Sequence, residues 1–435
     1  MLKYTEDMTP FDMSAKPSKQ YFFLMPLIWL AAYLDMRRFG LKTDSSGMKG
    51  VKPPYLVIAT HQGPADYSAA PLAMFPRRAM FVSDMEGFEW YGKWLYRGLG
   101  CIGKRRFVSD ISVVRNMKYA LSKGQAVWVY PESRHSNVGT TAYIPKNLGK
   151  LCRMMDVPVV LYTLYGSYLA NPFWDELHSR KVPLEGKMRL LFSREEVRTT
   201  SPEIMQKKIE DGLKYDEYEY QTSRGIRITE SFRAQGLHMP LYRCILCGER
   251  YKMTSHGDTL ECKACGREYL LREDGMLELV SGRETFRIPD WYEWERSQEI
   301  EECRRLLSDR PGNSDEDDRF DGSGISDRTH SGFSKRFAVK IEALPSEKGF
   351  VNLGDGELLM DEKEFTLNLS GPVTLHFPHK IRESVQTEYD YRGVKGKGIV
   401  LSTRDCCYYI YCDADDFNPT ELQFLGEWFY REANK

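Results

Sequence analysis

Short apolar runs alternate with helical patterns along the first half of the chain. The apolar runs cover residues 55–59, 126–129 and 157–161, and the helical patterns include residues 109–123 and 202–214. Short runs rich in β-branched residues are typical of buried strands, and strands that alternate with helices favour a parallel sheet. The pattern therefore predicts an α/β layer fold for the N-terminal part of the chain, over residues 1–235.

The C-terminal part of the chain, residues 335–435, shows a different pattern. Apolar runs separated by Gly and Asp turns cover residues 350–353, 356–360, 365–369, 399–402 and 408–411. Short strands at this spacing predict a small antiparallel barrel or sandwich, and Pro419 begins a helical pattern with an apolar face. A mostly antiparallel β module closed by a C-terminal helix resembles the pleckstrin-homology type, without a motif that would indicate its ligand.

A helix and a linker are predicted between these regions, over residues 286–334. The helical pattern runs from Pro289 to Leu307 and begins with an aromatic cluster. Residues 308–334 are rich in Asp, Gly, Ser and Arg and contain few large aliphatic side chains. This composition is typical of a flexible linker, so we place a domain boundary there.

The longest apolar run near the N-terminus covers residues 21–34. A membrane-spanning helix needs about twenty apolar residues, so this run is too short to cross a bilayer. Its aromatic residues at both ends and the following pair Arg37 and Arg38 favour a segment that lies among lipid headgroups. An ordinary helix buried against the sheet fits the pattern equally well.

The charge balance argues against nucleic acid as a partner. The chain has 61 basic and 62 acidic residues, a net charge of -1, so no overall attraction to phosphate backbones is expected. The first apolar run follows a mixed-charge start and has no small-residue cleavage site, unlike a secretory signal. We therefore expect a cytoplasmic protein.

Four of the ten cysteines form a metal-ligand pattern. Two C-x-x-C pairs are each followed by glycine, and their cysteines are Cys244, Cys247, Cys262 and Cys265. Four thiolates at this spacing suit a closed tetrahedral site, so we predict a structural zinc ribbon over residues 236–285. Iron and a pair of redox dithiols are the alternatives. Zinc ribbons can also bind nucleic acid, but the mixed charges here argue against it.

A histidine and an aspartate follow the first strand. His61 and Asp66 cannot meet on one regular helix, because five residues turn the chain by about 140° beyond a full turn. Gly63 and Pro64 predict a turn that starts a helix with Asp66 in its first turn. There the helix dipole favours an ionised carboxylate, which can orient His61 as a general base for a hydroxyl group. A plain surface turn is the alternative interpretation.

Three further segments follow in order along the chain. A basic triplet, Lys104, Arg105 and Arg106, comes after a small-residue strand and could hold a phosphate. Pro131 and Glu132 close the next strand, and residues 157–161 form a Val-Pro-Val-Val run. We interpret His135, His178 and His238 as surface or structural residues, because their spacing indicates no partner.

Together these four blocks resemble the lysophosphatidic acid acyltransferase family of glycerolipid acyltransferases. The family's blocks are an H-x4-D, a G-x5-R, a P-E-G-type segment and a V-P-[IV]-[IV] strand, and the resemblance covers residues 20–235. The combination is specific, whereas each block alone is weak. In the third block this chain has Ser133, Arg134 and His135 where the family has Gly, Thr and Arg, a change that bears on the acceptor more than on the reaction.

The resemblance implies a role for each matching residue. His61 would be the general base on the acceptor hydroxyl, and Asp66 would orient it. Arg106 would bind the acceptor phosphate, with Lys104 and Arg105 beside it. Glu132 would help to hold the acceptor or the arginine, and Arg134 could reach the same phosphate.

The resemblance also implies the reaction and its partners. We expect an acyl group to pass from acyl-CoA or acyl carrier protein to the sn-2 hydroxyl of lysophosphatidic acid, giving phosphatidic acid. The enzyme would work peripherally on the inner face of the cell membrane. Alternatives are another acceptor, such as glycerol 3-phosphate or another lysophospholipid, and an inactive membrane-docked scaffold. Hydrolysis is disfavoured because the chain has no G-x-S-x-G elbow.

Overall fold

A computed structural model describes residues 8–175, 178–308, 333–389 and 396–435, and its first large element is a seven-stranded sheet. The strands are β1 Lys42–Gly47, β2 Leu56–Ala59, β3 Ala79–Ser83, β4 Ile102–Gly103, β5 Ala126–Val129, β6 Val159–Tyr165 and β7 Glu185–Phe192. They lie in the order β1-β7-β6-β2-β5-β3-β4. Only the β6–β7 pair is antiparallel, so the sheet is largely parallel, as predicted.

Ten helices accompany this sheet in the described part of the chain. They are α1 Met25–Arg37, α2 Ala65–Met74, α3 Met85–Tyr91, α4 Lys93–Gly98, α5 Ile111–Ser122, α6 Leu148–Met155, α7 Ser167–Ala170, α8 Arg194–Thr199, α9 Pro202–Leu213 and α10 Glu217–Arg224. The two helices predicted from the sequence are confirmed as α5 and α9. Each begins where a side chain accepts a hydrogen bond from the first turn, Asp110 for α5 and Ser201 for α9.

The N-terminal apolar run forms α1, which packs on α2 through a narrow stripe. Met25, Ala32 and Met36 are buried, whereas much of the remaining apolar surface faces outward. The exposed large side chains of this segment are Phe22, Phe23, Leu27, Leu30, Tyr33 and Leu34. No helix in the described residues is long and apolar enough to cross a membrane.

The predicted ribbon segment contains a five-stranded antiparallel sheet. Its strands are β8 Met253–His256, β9 Thr259–Cys262, β10 Glu268–Leu271, β11 Met276–Leu279 and β12 Thr285–Arg287, arranged in chain order. Leu260 and Tyr269 of this sheet belong to the same buried cluster as Val57 and Trp128 of the large sheet. The ribbon segment therefore shares a core with the α/β layer instead of standing apart from it.

The next helix, α11 Ile288–Ser308, agrees with the predicted helix. The predicted linker falls almost wholly on residues 309–332, which lie outside the described residues. The chain then forms what we call the C-terminal β module, residues 333–435. Its elements are β13 Ser334–Ser346, β14 Gly349–Asp361, β15 Glu364–Leu369, β16 Thr374–Pro378, β17 Gln386–Tyr389, β18 Lys397–Ser402, β19 Cys407–Tyr411 and α12 Pro419–Ala433.

The seven strands of the C-terminal β module form one antiparallel sheet in the order β16-β15-β14-β13-β19-β18-β17, and α12 packs on it. This agrees with the predicted β module closed by a helix. Two apolar runs predicted as separate strands, residues 350–353 and 356–360, lie in the single strand β14. The resemblance of the module to the pleckstrin-homology type stays a prediction.

The C-terminal β module packs directly on the α/β layer. Phe11, Phe88 and Cys101 share a buried apolar cluster with Leu344 and Tyr409 of the module. This seam lies beside the ends of β3 and β4, where the predicted basic triplet Lys104, Arg105 and Arg106 begins. The module consequently forms part of the surroundings of the candidate site.

Candidate active site

The chain leaves the buried strand β2 and enters α2 through the segment that carries His61. Asp66 lies in the first turn of α2, as predicted, and its Oδ2 is 3.1 Å from Nδ1 of His61. The same oxygen accepts hydrogen bonds from the backbone N–H groups of Gln62, at 2.6 Å, and Gly63, at 3.3 Å. A carboxylate that accepts from Nδ1 leaves Nε2 of the imidazole free to take a proton.

Gly63 serves this turn through its small size. A Cβ atom at this position would lie 2.9 Å from the carbonyl oxygen of Ser167 and 3.1 Å from that of Asn171. Any side chain would push the turn away from α7, and His61 would move with it. The turn at Gly63 was predicted from the sequence, but the reason for the glycine is close packing.

Aromatic rings surround the His61 imidazole. Tyr130 stacks on it with ring centroids 4.3 Å apart, and Tyr67 meets it edge-on at 5.6 Å. The Tyr130 hydroxyl donates a hydrogen bond to the backbone carbonyl of Asp66, at 3.1 Å. These contacts restrict the imidazole to one orientation and shield it from water, since His61 is only 7% exposed.

His135 lies beside His61, so its interpretation as a surface residue was wrong. Its ring lies 4.4 Å from that of His61, and its Nε2 is buried without a hydrogen-bond partner among the described residues. Burial, the neighbouring His61 and Arg106 hold the pKa of His135 well below its usual range. The only sequence signal for His135 was its position in the third block. That signal was weak, because His135 stands where the family has arginine.

Glu132 ties the two strand ends together. One carboxylate oxygen accepts from the His61 backbone N–H at 3.0 Å. The other accepts from the Ala142 N–H at 2.8 Å and from the Tyr215 hydroxyl at 3.1 Å. Burial raises the pKa of Glu132 to about 7, against the hydrogen bonds, which lower it. Glu132 thus supports the backbone that carries His61.

Ser133, which stands where the family has glycine, adopts a backbone conformation that is typical of glycine. Its φ is 59°, in the left-handed region that glycine favours. The Lys104 ammonium donates a hydrogen bond to the Ser133 hydroxyl at 2.6 Å, and that hydroxyl donates to the Pro131 carbonyl at 3.3 Å. These hydrogen bonds help to hold a serine in a conformation that costs a non-glycine residue energy.

Arg105 and Arg134 point into the C-terminal β module. Arg105 donates hydrogen bonds to three backbone carbonyls of the module, those of Pro345, Arg404 and Asp405, at 3.2, 2.6 and 2.9 Å. The Arg134 guanidinium lies 3.2 Å from the carboxylate of Glu427 on α12, and both side chains are buried. Both arginines therefore contact the module in this structure.

Arg106 lies among three carboxylates. Its guanidinium is 2.6 Å from Asp84, 3.4 Å from Glu86 and 3.6 Å from Glu388. Asp84 and Glu86 follow β3, whereas Glu388 comes from β17 of the C-terminal β module. Burial lowers the pKa of Arg106, but the carboxylates outweigh it and hold that pKa well above its usual range. None of these three acids was predicted from the sequence.

The other two histidines lie away from this site. His178 lies in a surface pair with Asp175, 2.7 Å away, and its side chain is 42% exposed. His238 contacts the Ser255 hydroxyl at 2.7 Å, and burial lowers its pKa to about 4.

The four cysteines of the predicted zinc site lie within 4.8 Å of one another through their sulfur atoms. The Sγ atoms of Cys244 and Cys265 are 3.9 Å apart, and those of Cys247 and Cys262 are 3.7 Å apart. Zinc–sulfur bonds of about 2.3 Å in a tetrahedron place the sulfurs about 3.8 Å apart. The four thiols could therefore hold a zinc ion in this geometry.

Residues 41–163 match the sequence model of the Acyltransferase family. No curated protein matches the chain. Among solved structures, a crystal structure of the 1-acyl-sn-glycerophosphate (LPA) acyltransferase from Thermotoga maritima is similar with 16% sequence identity and a TM-score of 0.37. That alignment covers 46% of this chain and 80% of the other.

The family match includes all four sequence blocks and therefore His61, Asp66 and the basic triplet. The match identifies an acyltransferase-type segment in this chain and supports a transferase activity. The segment ends before the cysteine cluster and the C-terminal β module begin.

Proposed function

We propose that this protein transfers a fatty acyl group from a thioester to the hydroxyl group of a lysophospholipid. The observation that carries the proposal is the His61–Asp66 pair, with 3.1 Å between Nδ1 and Oδ2, inside the segment that matches the acyltransferase family. The pair is fixed at the end of a parallel strand, the usual place for ligands in such sheets.

The geometry suits attack by the acceptor hydroxyl itself. Nε2 of His61 would take the hydroxyl proton while the oxygen bonds to the thioester carbonyl carbon. The carbon–sulfur bond then breaks, and the imidazolium returns the proton to the leaving thiolate. Asp66 stabilises the imidazolium. Because the acceptor oxygen is itself the nucleophile, the acyl group is never attached to the enzyme.

The proposal includes peripheral docking on the inner face of the cell membrane. The exposed side of α1 is continuous with other exposed aromatic rings, because Tyr21 contacts Trp94 at 5.8 Å and Trp29 contacts Phe75 at 5.0 Å between ring centroids. α1 also packs on α2, which carries Tyr67 beside His61. A lipid held at this surface would be close to the base.

The cysteine cluster is proposed to hold a structural zinc ion. Four thiolates fill a tetrahedral shell and leave no position for substrate, so the ion would stabilise the ribbon segment and take no part in acyl transfer. When bound, zinc cross-links two knuckles of a sheet that shares its core with the α/β layer.

Lysophosphatidic acid is the acceptor that the sequence resemblance suggests, with acyl-CoA or acyl carrier protein as donor. A lysophospholipid with a larger headgroup is the second candidate. It is favoured by the three carboxylates around Arg106, the residue expected to hold the phosphate. An inactive scaffold is a weaker alternative, because a scaffold would not need the ordered His61–Asp66 pair.

The test is acyl transfer from acyl-CoA, and separately from acyl carrier protein, to a panel of lysophospholipids presented in the same vesicles. We expect product from the wild-type protein and none from His61→Ala. His178→Ala is the matched control, because it removes a histidine that also pairs with an aspartate but lies on the surface. Undiminished activity of folded His61→Ala would refute the mechanism. If the wild-type protein forms no product with any acceptor of the panel, the scaffold is favoured.

A further inference from the structure

The surroundings of Arg106 carry more negative than positive charge. One guanidinium faces the carboxylates of Asp84, Glu86 and Glu388 at 2.6, 3.4 and 3.6 Å. The Tyr409 hydroxyl of the C-terminal β module also donates to Glu86. Arg106 therefore enters substrate binding with its charge already compensated, by two carboxylates that follow β3 and by one carboxylate of the module.

Each other cation predicted for the acceptor phosphate also has a partner. Lys104 donates a hydrogen bond to the Ser133 hydroxyl. Burial lowers the pKa of Lys104, and the carboxylate of Glu383 acts in the opposite direction. Arg105 is bound to backbone carbonyls, and Arg134 is paired with Glu427. A phosphate monoester carries about 1.5 to 2 negative charges at neutral pH and binds best to uncompensated guanidinium groups.

Glu388 is held in place by the strand that carries it. Its neighbour Tyr389 packs on Phe173, with ring centroids 5.7 Å apart, and Phe173 packs on His135 at the same distance. Thr387, which precedes Glu388, lies on the same face of the strand as Tyr389, and its hydroxyl is 3.3 Å from the Asn137 side-chain oxygen. β17 is thereby fixed against the candidate active site, and Glu388 forms a permanent part of its wall.

We propose that Glu388 determines acceptor specificity and that the acceptor is a lysophospholipid whose phosphate is a diester. This inference rests on the proposed acyl transfer. A diester carries one negative charge, so it meets less repulsion from the three carboxylates than a monoester such as lysophosphatidic acid does. Glu388 excludes the monoester by compensating Arg106, the guanidinium that the family resemblance assigns to the acceptor phosphate.

The experiment compares two acceptors with the same acyl chain, lysophosphatidic acid and lysophosphatidylethanolamine. For the full-length wild-type protein, kcat/KM is expected to be at least about tenfold higher for the diester. In Glu388→Gln the ratio should fall at least about fivefold, mainly through a lower KM for the monoester, because one repelling charge is gone.

Glu357→Gln is the matched control. Glu357 lies in the same module and also pairs with an arginine, Arg336, at 3.1 Å, but on the exposed surface. It should leave the acceptor ratio unchanged. Glu388→Asp keeps the charge and should keep the wild-type preference, which separates charge from a structural effect of the substitution.

The outcomes distinguish this inference from the proposed function. A wild-type preference for lysophosphatidic acid would overturn the specificity proposal while supporting acyl transfer. An unchanged ratio in folded Glu388→Gln would also overturn it. If Glu388→Gln does not fold, the wild-type ratio and the Glu388→Asp ratio still decide. Absence of any acyl transfer would refute the proposed function, and the specificity proposal would fall with it.

Discussion

At the residue scale, the candidate site combines side chains that are close in sequence with others that are not. His61 and Asp66 meet through a turn of a few residues, so their pairing follows from the local sequence and was predictable. Glu388 lies far along the chain and reaches Arg106 only through the fold. His135 lies between these cases. Its position in the third sequence block indicated the site, but its contact with His61 could not be predicted from the spacing of the two residues.

Glu132 gives a prediction about pH. Its pKa in the folded protein is about 7 because of burial, whereas an unfolded glutamate titrates near 4.5. The folded state therefore keeps this proton at pH values where the unfolded state loses it, so the free energy of unfolding should fall as pH rises from about 4.5 to 7. At about 1.4 kcal/mol per pKa unit, the loss is about 3 kcal/mol.

Urea denaturation of the wild-type protein and Glu132→Gln across this pH range measures the effect. The variant has no titrating group at this position, so the wild-type protein should lose free energy of unfolding relative to the variant as pH rises. A constant difference would mean that Glu132 titrates at its ordinary pKa.

At the element scale, helices with clear capping signals agreed with prediction, whereas strand division in the C-terminal β module did not. Asp110 and Ser201 cap α5 and α9, because their side chains accept hydrogen bonds from backbone N–H groups in the first turn of each helix. β14 runs through a turn-like stretch that contains Asp355, because pairing with β13 continues across it. Pairing with the neighbouring strand decided this element.

The exposed face of α1 gives a prediction about membrane binding. Leu30 and Leu34 are 55% and 57% exposed, so replacing both with glutamine removes apolar surface at little cost to folding. If α1 docks on lipid, each leucine contributes about 1 kcal/mol or more, and binding to anionic vesicles should weaken at least about tenfold. Vesicle sedimentation measures the partition.

Ile204→Gln is the matched control, because Ile204 is 54% exposed on α9. It should leave vesicle binding unchanged. Equal binding by all three proteins would show that the membrane surface lies elsewhere on the molecule.

At the scale of the whole molecule, the predicted modules are not independent. The ribbon segment shares a buried cluster with the large sheet, and the C-terminal β module shares another with α3, Phe11 and Cys101. Arg243 and Arg250 of the ribbon segment also bind Glu299 on α11, at 3.2 and 2.5 Å. Loss of one part should therefore weaken the others.

Zinc removal tests this dependence. The wild-type protein should contain one zinc ion per chain by mass spectrometry, and a strong chelator should lower both the thermal midpoint and the acyltransferase activity, since structural zinc sites contribute folding free energy. Cys247→Ser should have the same effect without chelator. Restored activity after zinc is added back would exclude irreversible damage, and unchanged stability of metal-free protein would contradict a structural role.

The sequence alone determined the features that depend on neighbours along the chain. The βα alternation, the His61 turn and the C-x-x-C pairs are such features, because periodicity, helix caps and ligand spacing act over a few residues. Only the tertiary structure decided what surrounds the site. The acids around Arg106, and the contacts of Arg105 and Arg134 with the C-terminal β module, depend on how distant surfaces pack, which local patterns do not encode.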